Sequence, residues 1–294
     1  MEDGPARYHT HTNFVIRRFD RFRQKNMPSL GVRRMAMPSV LRQHLTVVAA
    51  LVIREMCTRY GTKFGGYAWA IIDPLAFVVL LSIIFSAIAR TPALGTNFPL
   101  FFATGYMAFW IYRSMADQVA GAVKSNRNLL NYPVVNPYDT VYARAILQIL
   151  TQFLVCMIIF TGIGLVIEPL PRLDMYPILE ATVLALMLGM GVGMVNVVAF
   201  HMSPTYQQVF NIVNRPLYLL SGVFLIPDHV PEPYRTYLFY NPLIHIVAKF
   251  RQGFYGTYRA QFIDMPYVVT FACTIFLAGF LAMKIFDSSV REQQ

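Results

Sequence analysis

Two sets of residues have the types and spacing from which chemistry can be argued. Tyr106, Trp110, Arg113 and Asp117 fall at i, i+4, i+7 and i+11, which is one face of a helix. Asn211, Arg215, Tyr218 and Gly222 repeat that spacing further along. Aromatic faces stack on the apolar faces of sugar rings, while Arg and Asn bond to hydroxyls and carboxylates. Two such faces suit a path for a hydrated polymer. The bland alternative stays open: Arg113 snorkels to an aqueous surface and the aromatics meet lipid. A third set precedes both. Trp69, Asp73 and Phe77 share a face by i, i+4 spacing, and Pro74 follows the acid. Either Asp73 caps a helix with Pro74 as its first residue, or it is a charge facing a wet path or a partner helix.

No catalytic constellation accompanies them. The chain contains no G-x-x-x-x-G-K-[ST], no H-E-x-x-H and no G-x-S-x-G; GTKFGGYA at 61–68 lacks both the spacing and the terminal Lys-Ser/Thr. Cys57, Cys156 and Cys273 are too scattered for a disulfide framework or a zinc site. His201 is isolated from metal-ligand spacing and reads as structural. The sequence predicts no catalytic residue, cofactor or metal in this chain, and any ATP chemistry must come from another subunit.

The elements that position these faces are membrane helices. Of 294 residues 56% are hydrophobic and 14% charged, with mean hydropathy +0.46, against about 25% charged for a soluble domain. The net charge of +10 is not gathered on one soluble face, which argues against nucleic acid. A span needs about 20 apolar residues, and six segments qualify: 68–89, 98–117, 143–167, 176–200, 209–226 and 265–286. Arg113 and Arg215 interrupt the second and fifth. Lys and Arg divide 17 to 6 between the two sides, with 12 of the 25 in residues 1–66. The positive-inside rule therefore places both termini in the cytosol.

Outside the spans, residues 1–40 form a basic cytosolic tail suited to anionic headgroups, with no signal peptide in it. Residues 41–66 read as an amphipathic interface helix and a joint at Gly65-Gly66. Its apolar stripe is Leu41, Leu45, Val48, Val52 and Met56. Gly189 and Gly193 form a GxxxG pair suited to close packing within the subunit. In the loop 120–145, Leu129, Leu130 and Tyr132 make an apolar knob among Lys124, Arg127 and Asn131, ended by Pro133 and Pro137. Such a knob suits a partner's groove; the alternative is a surface helix resting on lipid.

Three strings together resemble one family. R-x4-R-Y…G-Y-x-W-x3-D-P-L (Arg54 to Leu75) is similar to the start of type-2 ABC exporter permeases for polysaccharides. N-R-N-L-L-N-Y-P-V-V-N-P (Asn126 to Pro137) resembles their first cytosolic coupling segment. Y-N-P-L-I-H-I-V-A-K-F-R-Q-G-F-Y-G (Tyr240 to Gly256) resembles the stretch before their last span. The nearest pattern is that of capsular polysaccharide export permeases of the Gram-negative inner membrane; O-antigen and teichoic acid permeases share it. A membrane-embedded transferase and a non-transporting scaffold are the readings from other classes.

The resemblance implies an all-α polytopic protein of six spans over 67–290, with short re-entrant periplasmic helices between spans 5 and 6. It implies a homodimer that moves lipid-anchored capsular polysaccharide. Two copies of an ATP-binding subunit would supply ATP and Mg, and a periplasmic co-polymerase or adaptor and an outer-membrane exporter would follow. Trp69, Asp73, Tyr106, Trp110, Arg113, Asn211, Arg215 and Tyr218 would line the pathway. Asn126, Arg127, Leu129, Leu130, Tyr132 and Pro133 would couple to the ATPase. Tyr240, Asn241, Pro242 and Arg251 would belong to a periplasmic gate, in a segment (227–263) broken by Pro227, Pro231, Pro233 and Pro242. Asp73 is expected to pair with Arg215 or Arg113 at rest, and the Gly65-Gly66 joint to pass motion to it.

Overall fold

The computed structural model describes residues 37–60, 66–130, 135–167 and 173–292. The joint residue Gly65, and Tyr132 and Pro133 of the coupling segment, lie outside these described residues. The chain divides into two units after Gln43. The first contributes the opening of helix α1 (Met37–Tyr60); the second, from His44, holds every other element.

Those elements are all helical among the described residues: α2 (Gly66–Ile88), α3 (Phe98–Ala120), α4 (Ala122–Ser125), α5 (Arg127–Leu130), α6 (Pro137–Val166), α7 (Met175–Met202) and α8 (Pro204–Leu219), then a 3-10 turn at Pro227–His229, α9 (Tyr234–Phe239), α10 (Pro242–Gln252) and α11 (Met265–Glu292). Among the described residues, four helices are long and apolar enough to cross a membrane: α2, α6, α7 and α11. At about 1.5 Å per residue the 23 residues of α3 also reach across a bilayer core. They fall short in hydropathy because α3 is the wrapped helix of the bundle. Phe101, Phe102, Met107, Met115 and Val119 are at most 2% exposed.

Close packing around α3 is built on glycine. A Cβ at Gly189 would lie 2.6 Å from the Tyr112 carbonyl, and one at Gly193 2.6 Å from Val119 Cβ, so the GxxxG face of α7 meets α3 backbone to side chain. The other face of α7 does the same with α11. A Cβ at Gly191 would sit 2.7 Å from the Phe276 nitrogen, and one at Gly279 2.6 Å from the Gly191 carbonyl. Large residues on the outer faces of α2, α6 and α11, among them Ile83, Phe153 and Leu281, are exposed, as lipid-facing surfaces are.

Several boundaries differ from the sequence expectation. Helix α2 starts at Gly66, so Pro74 lies inside it and is buried. That removes the capping reading of Asp73. Pro74 has no N–H, so the helix lacks its hydrogen bond to the Ala70 carbonyl. The fifth segment is shorter than 209–226. It starts at Pro204 behind the Ser203 cap, which accepts from the Tyr206 N–H at 3.3 Å, and stops at Leu219. Pro216 sits inside its last turn, and Gly222 turns the chain with φ of 77°, a left-handed value that favours glycine. Helix α6 begins earlier than 143 because Asn136 and Asp139 form a capping box around Pro137.

Helix α1 also turns a different side inward. Leu51 and Glu55 are its buried residues, while Leu45 and Met56 of the predicted stripe are 63% and 40% exposed. The polar side faces the protein because Glu55 is held there by hydrogen bonds.

Candidate functional site

The two predicted faces of α3 and α8 come together. Tyr106 stacks on Phe77 of α2 at 4.4 Å and meets Tyr218 edge-on at 6.0 Å; Tyr218 also touches Phe109 at 5.1 Å and Phe224 at 5.1 Å. Near the other end of α3, Arg113 Nη2 donates to Asn211 Oδ1 at 3.0 Å, and its Nε donates to Asp117 Oδ2 at 2.8 Å. The same guanidinium lies 5.1 Å over the Phe210 ring. Among the described residues, Arg113 Nη1 and the Tyr218 hydroxyl are buried without a hydrogen-bond partner, which leaves donors to spare on this face.

Of the remaining pathway candidates, Asp73 is near enough for its charge to act on Tyr106. Trp110 is half-buried, while Trp69, Asp73 and Arg215 are exposed. The expected pairing of Asp73 with Arg215 or Arg113 does not form. Arg113 is taken by Asp117 one turn along its own helix, a separation that favours an i, i+4 pair. Sequence reasoning missed Phe109, Phe210 and Phe224. Phe109 was legible as the i+3 neighbour of Tyr106; Phe224 enters only through the turn at Gly222.

A second cluster joins α1 to the segment 122–130. Asn126 is 1% exposed, so it is a strut and not an outward contact. Its Oδ1 accepts from Arg54 Nη1 at 2.6 Å, and its Nδ2 donates to Glu55 Oε1 at 2.6 Å and to the Ala122 carbonyl at 2.9 Å. Arg144 of α6 donates through Nε to Glu55 Oε2 at 3.2 Å, through Nη1 to the Gln118 carbonyl at 3.2 Å, and through Nη2 to Ser125 Oγ. Arg127 is exposed, and Leu129 and Leu130 are half-buried.

The third cluster is α10, which lies buried against α3, α7 and α11. Asn241 caps it by accepting from the Leu243 N–H at 3.0 Å, with Pro242 as first residue. The Tyr240 carbonyl accepts from the Tyr267 hydroxyl at 2.7 Å. Arg251, 1% exposed, donates to the carbonyls of Gly222 at 2.7 Å and Val223 at 2.8 Å and lies 4.3 Å over the Phe101 ring. Only a glycine at 105 leaves room for it: a Cβ there would be 2.5 Å from Arg251 Nη2. His245, also buried, donates through Nε2 to the Phe239 carbonyl at 2.9 Å, and its Nδ1 accepts from the Asp264 N–H at 3.2 Å. That pairing fixes the neutral Nε2–H tautomer. Lys249 pairs with Glu180 of α7 at 3.0 Å. On the exposed turn before α9, the Thr236 hydroxyl, and with it Arg235, holds the Glu232 carboxyl below the usual carboxylate range.

The family model described as ABC-2 type transporter matches residues 46–255, which takes in the first two clusters and α10 of the third. The chain belongs to the ABC-2 type transporter family. This permease is 30% identical over 232 residues to the polysialic acid transport protein KpsM of Escherichia coli, covering 79% of this chain and 90% of that one. It is 29% identical to the capsule polysaccharide export inner-membrane protein CtrC of Neisseria meningitidis serogroup B, over 84% of this chain and 93% of the relative. It is 24% identical to the capsule polysaccharide export inner-membrane protein BexB of Haemophilus influenzae, with the same coverage of 84% and 93%. The family and the four apolar helices make it a multi-pass membrane transport subunit.

Proposed function

We propose that this permease is the channel-forming subunit of an ATP-driven exporter that moves capsular, lipid-anchored polysaccharide across the bacterial inner membrane. The observation that carries the reading is the joined face of α3 and α8, where Tyr106 and Tyr218 meet and Arg113 reaches Asn211. Rings stack on sugars, and the Arg–Asn pair offers both donors and acceptors to hydroxyls and carboxylates. The names of the relatives support the class of substrate.

In this reading α3 and α8 join the four apolar helices as spans two and five. Six spans and the excess of Lys and Arg on one side put both termini in the cytosol. Two copies form the channel, and the exposed Trp69, Asp73 and Arg215 face the partner copy or the polymer. The segment Arg127–Leu130 docks into an ATP-binding subunit, one per permease, which binds ATP and Mg. The buried α10 re-enters from the periplasmic side as a gate, and a periplasmic adaptor and an outer-membrane exporter take the polymer onward.

The test is co-expression with the neighbouring ATP-binding subunit. The two co-purify, and Leu129→Glu with Leu130→Glu abolishes the complex and surface polymer together. A permease that exports polymer without binding any ATPase would remove this function.

A further inference from the structure

Helix α1 buries an acid where an interfacial helix would bury an apolar residue. Glu55 is 5% exposed, and a buried carboxylate is costly unless paired and fully hydrogen-bonded. Its two oxygens are bound from two different elements: Oε1 by Asn126 between α4 and α5, and Oε2 by Arg144 of α6. Arg144 then reaches Ser125 and the end of α3 at the Gln118 carbonyl. The 122–130 segment therefore cannot shift without moving α1, α6 and the end of α3 or breaking charged hydrogen bonds.

One turn further along α1, a second chain of bonds runs deeper. Arg59 Nη1 donates to Gln148 Oε1 at 3.2 Å, and Gln148 Nε2 donates to Ser114 Oγ at 3.2 Å. Ser114 Oγ donates to the Trp110 carbonyl at 2.7 Å. Gln152 adds a bond from its Nε2 to the Ile111 carbonyl at 2.9 Å, and another to Ser114 Oγ. Gln148 and Gln152 are 2% and 3% exposed. A side chain that back-bonds the carbonyl four residues earlier bends a helix, so the state of Ser114 bears on the α3 backbone at Trp110, on the pathway face.

We propose that Glu55, Gln148 and Ser114 are positioning residues that carry displacement of the 122–130 segment through α1 and α6 to the backbone of α3 at Trp110. Hydrogen-bonded chains have discrete registers where apolar contacts slide, which is what a two-state relay requires. The inference rests on the reading that an ATP-binding subunit pushes on that segment.

Trp69 and Trp110 are the two tryptophans of the chain, which gives a direct readout. In the purified complex, the emission of Trp69→Phe minus that of Trp69→Phe with Trp110→Phe isolates Trp110. A non-hydrolysable ATP analogue shifts this signal in the otherwise unaltered complex. In Gln148→Leu, Glu55→Gln and Ser114→Ala the amplitude falls by about fivefold or more, with the ATPase still bound and saturated by the analogue. Ser114→Thr keeps the hydroxyl and restores the response, which separates a relay from a folding defect. A full Trp110 response in Ser114→Ala and Gln148→Leu overturns the relay and leaves the transporter reading standing. Failure of any ATPase to bind the unaltered permease overturns both.

Discussion

Gly105→Ala tests the packing around the buried arginine most sharply. Replacing a glycine within a helix by alanine gains up to about 1 kcal/mol in propensity. Here the added methyl would sit 2.5 Å from Arg251 Nη2 and 3.0 Å from the Val223 carbonyl. It enters the hydrogen bond that Arg251 makes with the turn after α8. To reach an ordinary 3.4 Å contact the guanidinium must retreat by about 0.9 Å, further than a 2.8 Å hydrogen bond tolerates. Arg251 is fully buried in the bundle and cannot exchange the lost partner for water. The lost charged hydrogen bond costs about 1.5–3 kcal/mol, and the overpacking about 1–3 kcal/mol more. Set against the propensity gain, the net loss is about 1.5–5 kcal/mol. In a thermal melt of the detergent-purified permease, at about 2–4 °C per kcal/mol, that is a fall of about 3–20 °C. Gly162→Ala is the control, because nothing lies within 4 Å of a Cβ at Gly162; it leaves the midpoint unchanged or slightly raised. Gly105→Ala combined with Arg251→Met falls short of the sum of the single losses, because the 2.5 Å contact with Nη2 disappears and only the Val223 backbone contacts remain. A Gly105→Ala protein as stable as the parent would refute the placement of Arg251 against α3 and the carbonyls of 222 and 223.

Other outcomes follow from the same geometry. Gly191→Val drives α7 from α11, where backbone atoms of Phe276 lie 2.7 and 2.8 Å from the new Cβ; it lowers stability by about 3 kcal/mol, read as a lower melting midpoint and lower expression. His245→Phe leaves the Phe239 carbonyl and the Asp264 N–H unpaired and costs about 2–4 kcal/mol, measured by the same melt. Arg113→Gln with Asn211→Ala lowers surface polymer by about tenfold or more at unchanged membrane abundance, scored by immunoblot and polymer staining of whole cells. Glu180→Gln, whose pair with Lys249 is partly exposed, shifts stability by at most about 1 kcal/mol, and that shift shrinks in high salt.

The apolar runs of α2, α6, α7 and α11 were legible because hydropathy alone specifies a lipid-facing helix. The helical-face arithmetic also held for Tyr106 with Tyr218 and for Arg113 with Asn211, since a period of 3.6 fixes which residues share a side. What escaped was set by tertiary partners. Glu55 reads as the outer, polar side of α1 until Asn126 and Arg144 are placed beside it. Arg251 reads as part of a periplasmic gate, and nothing local announces that the carbonyls of 222 and 223 hold it buried. Asp73 looked like a pairing partner for an arginine that already had Asp117 one turn away.

The junction between α7 and α8 bears on how the protein is made. Helix α7 ends at Met202 and α8 begins at Pro204, with Ser203 between them. Alone, α8 is 16 residues long and carries Arg215, a poor candidate for recognition by the insertion machinery, which scores length and apolarity. In the proposed six-span arrangement, α8 is tied to α7 by one residue and would enter the bilayer as the second arm of a hairpin whose first arm supplies the hydrophobicity. On that arrangement its insertion depends on its neighbour, and a longer linker at Ser203 would make α8 the arm that fails to insert.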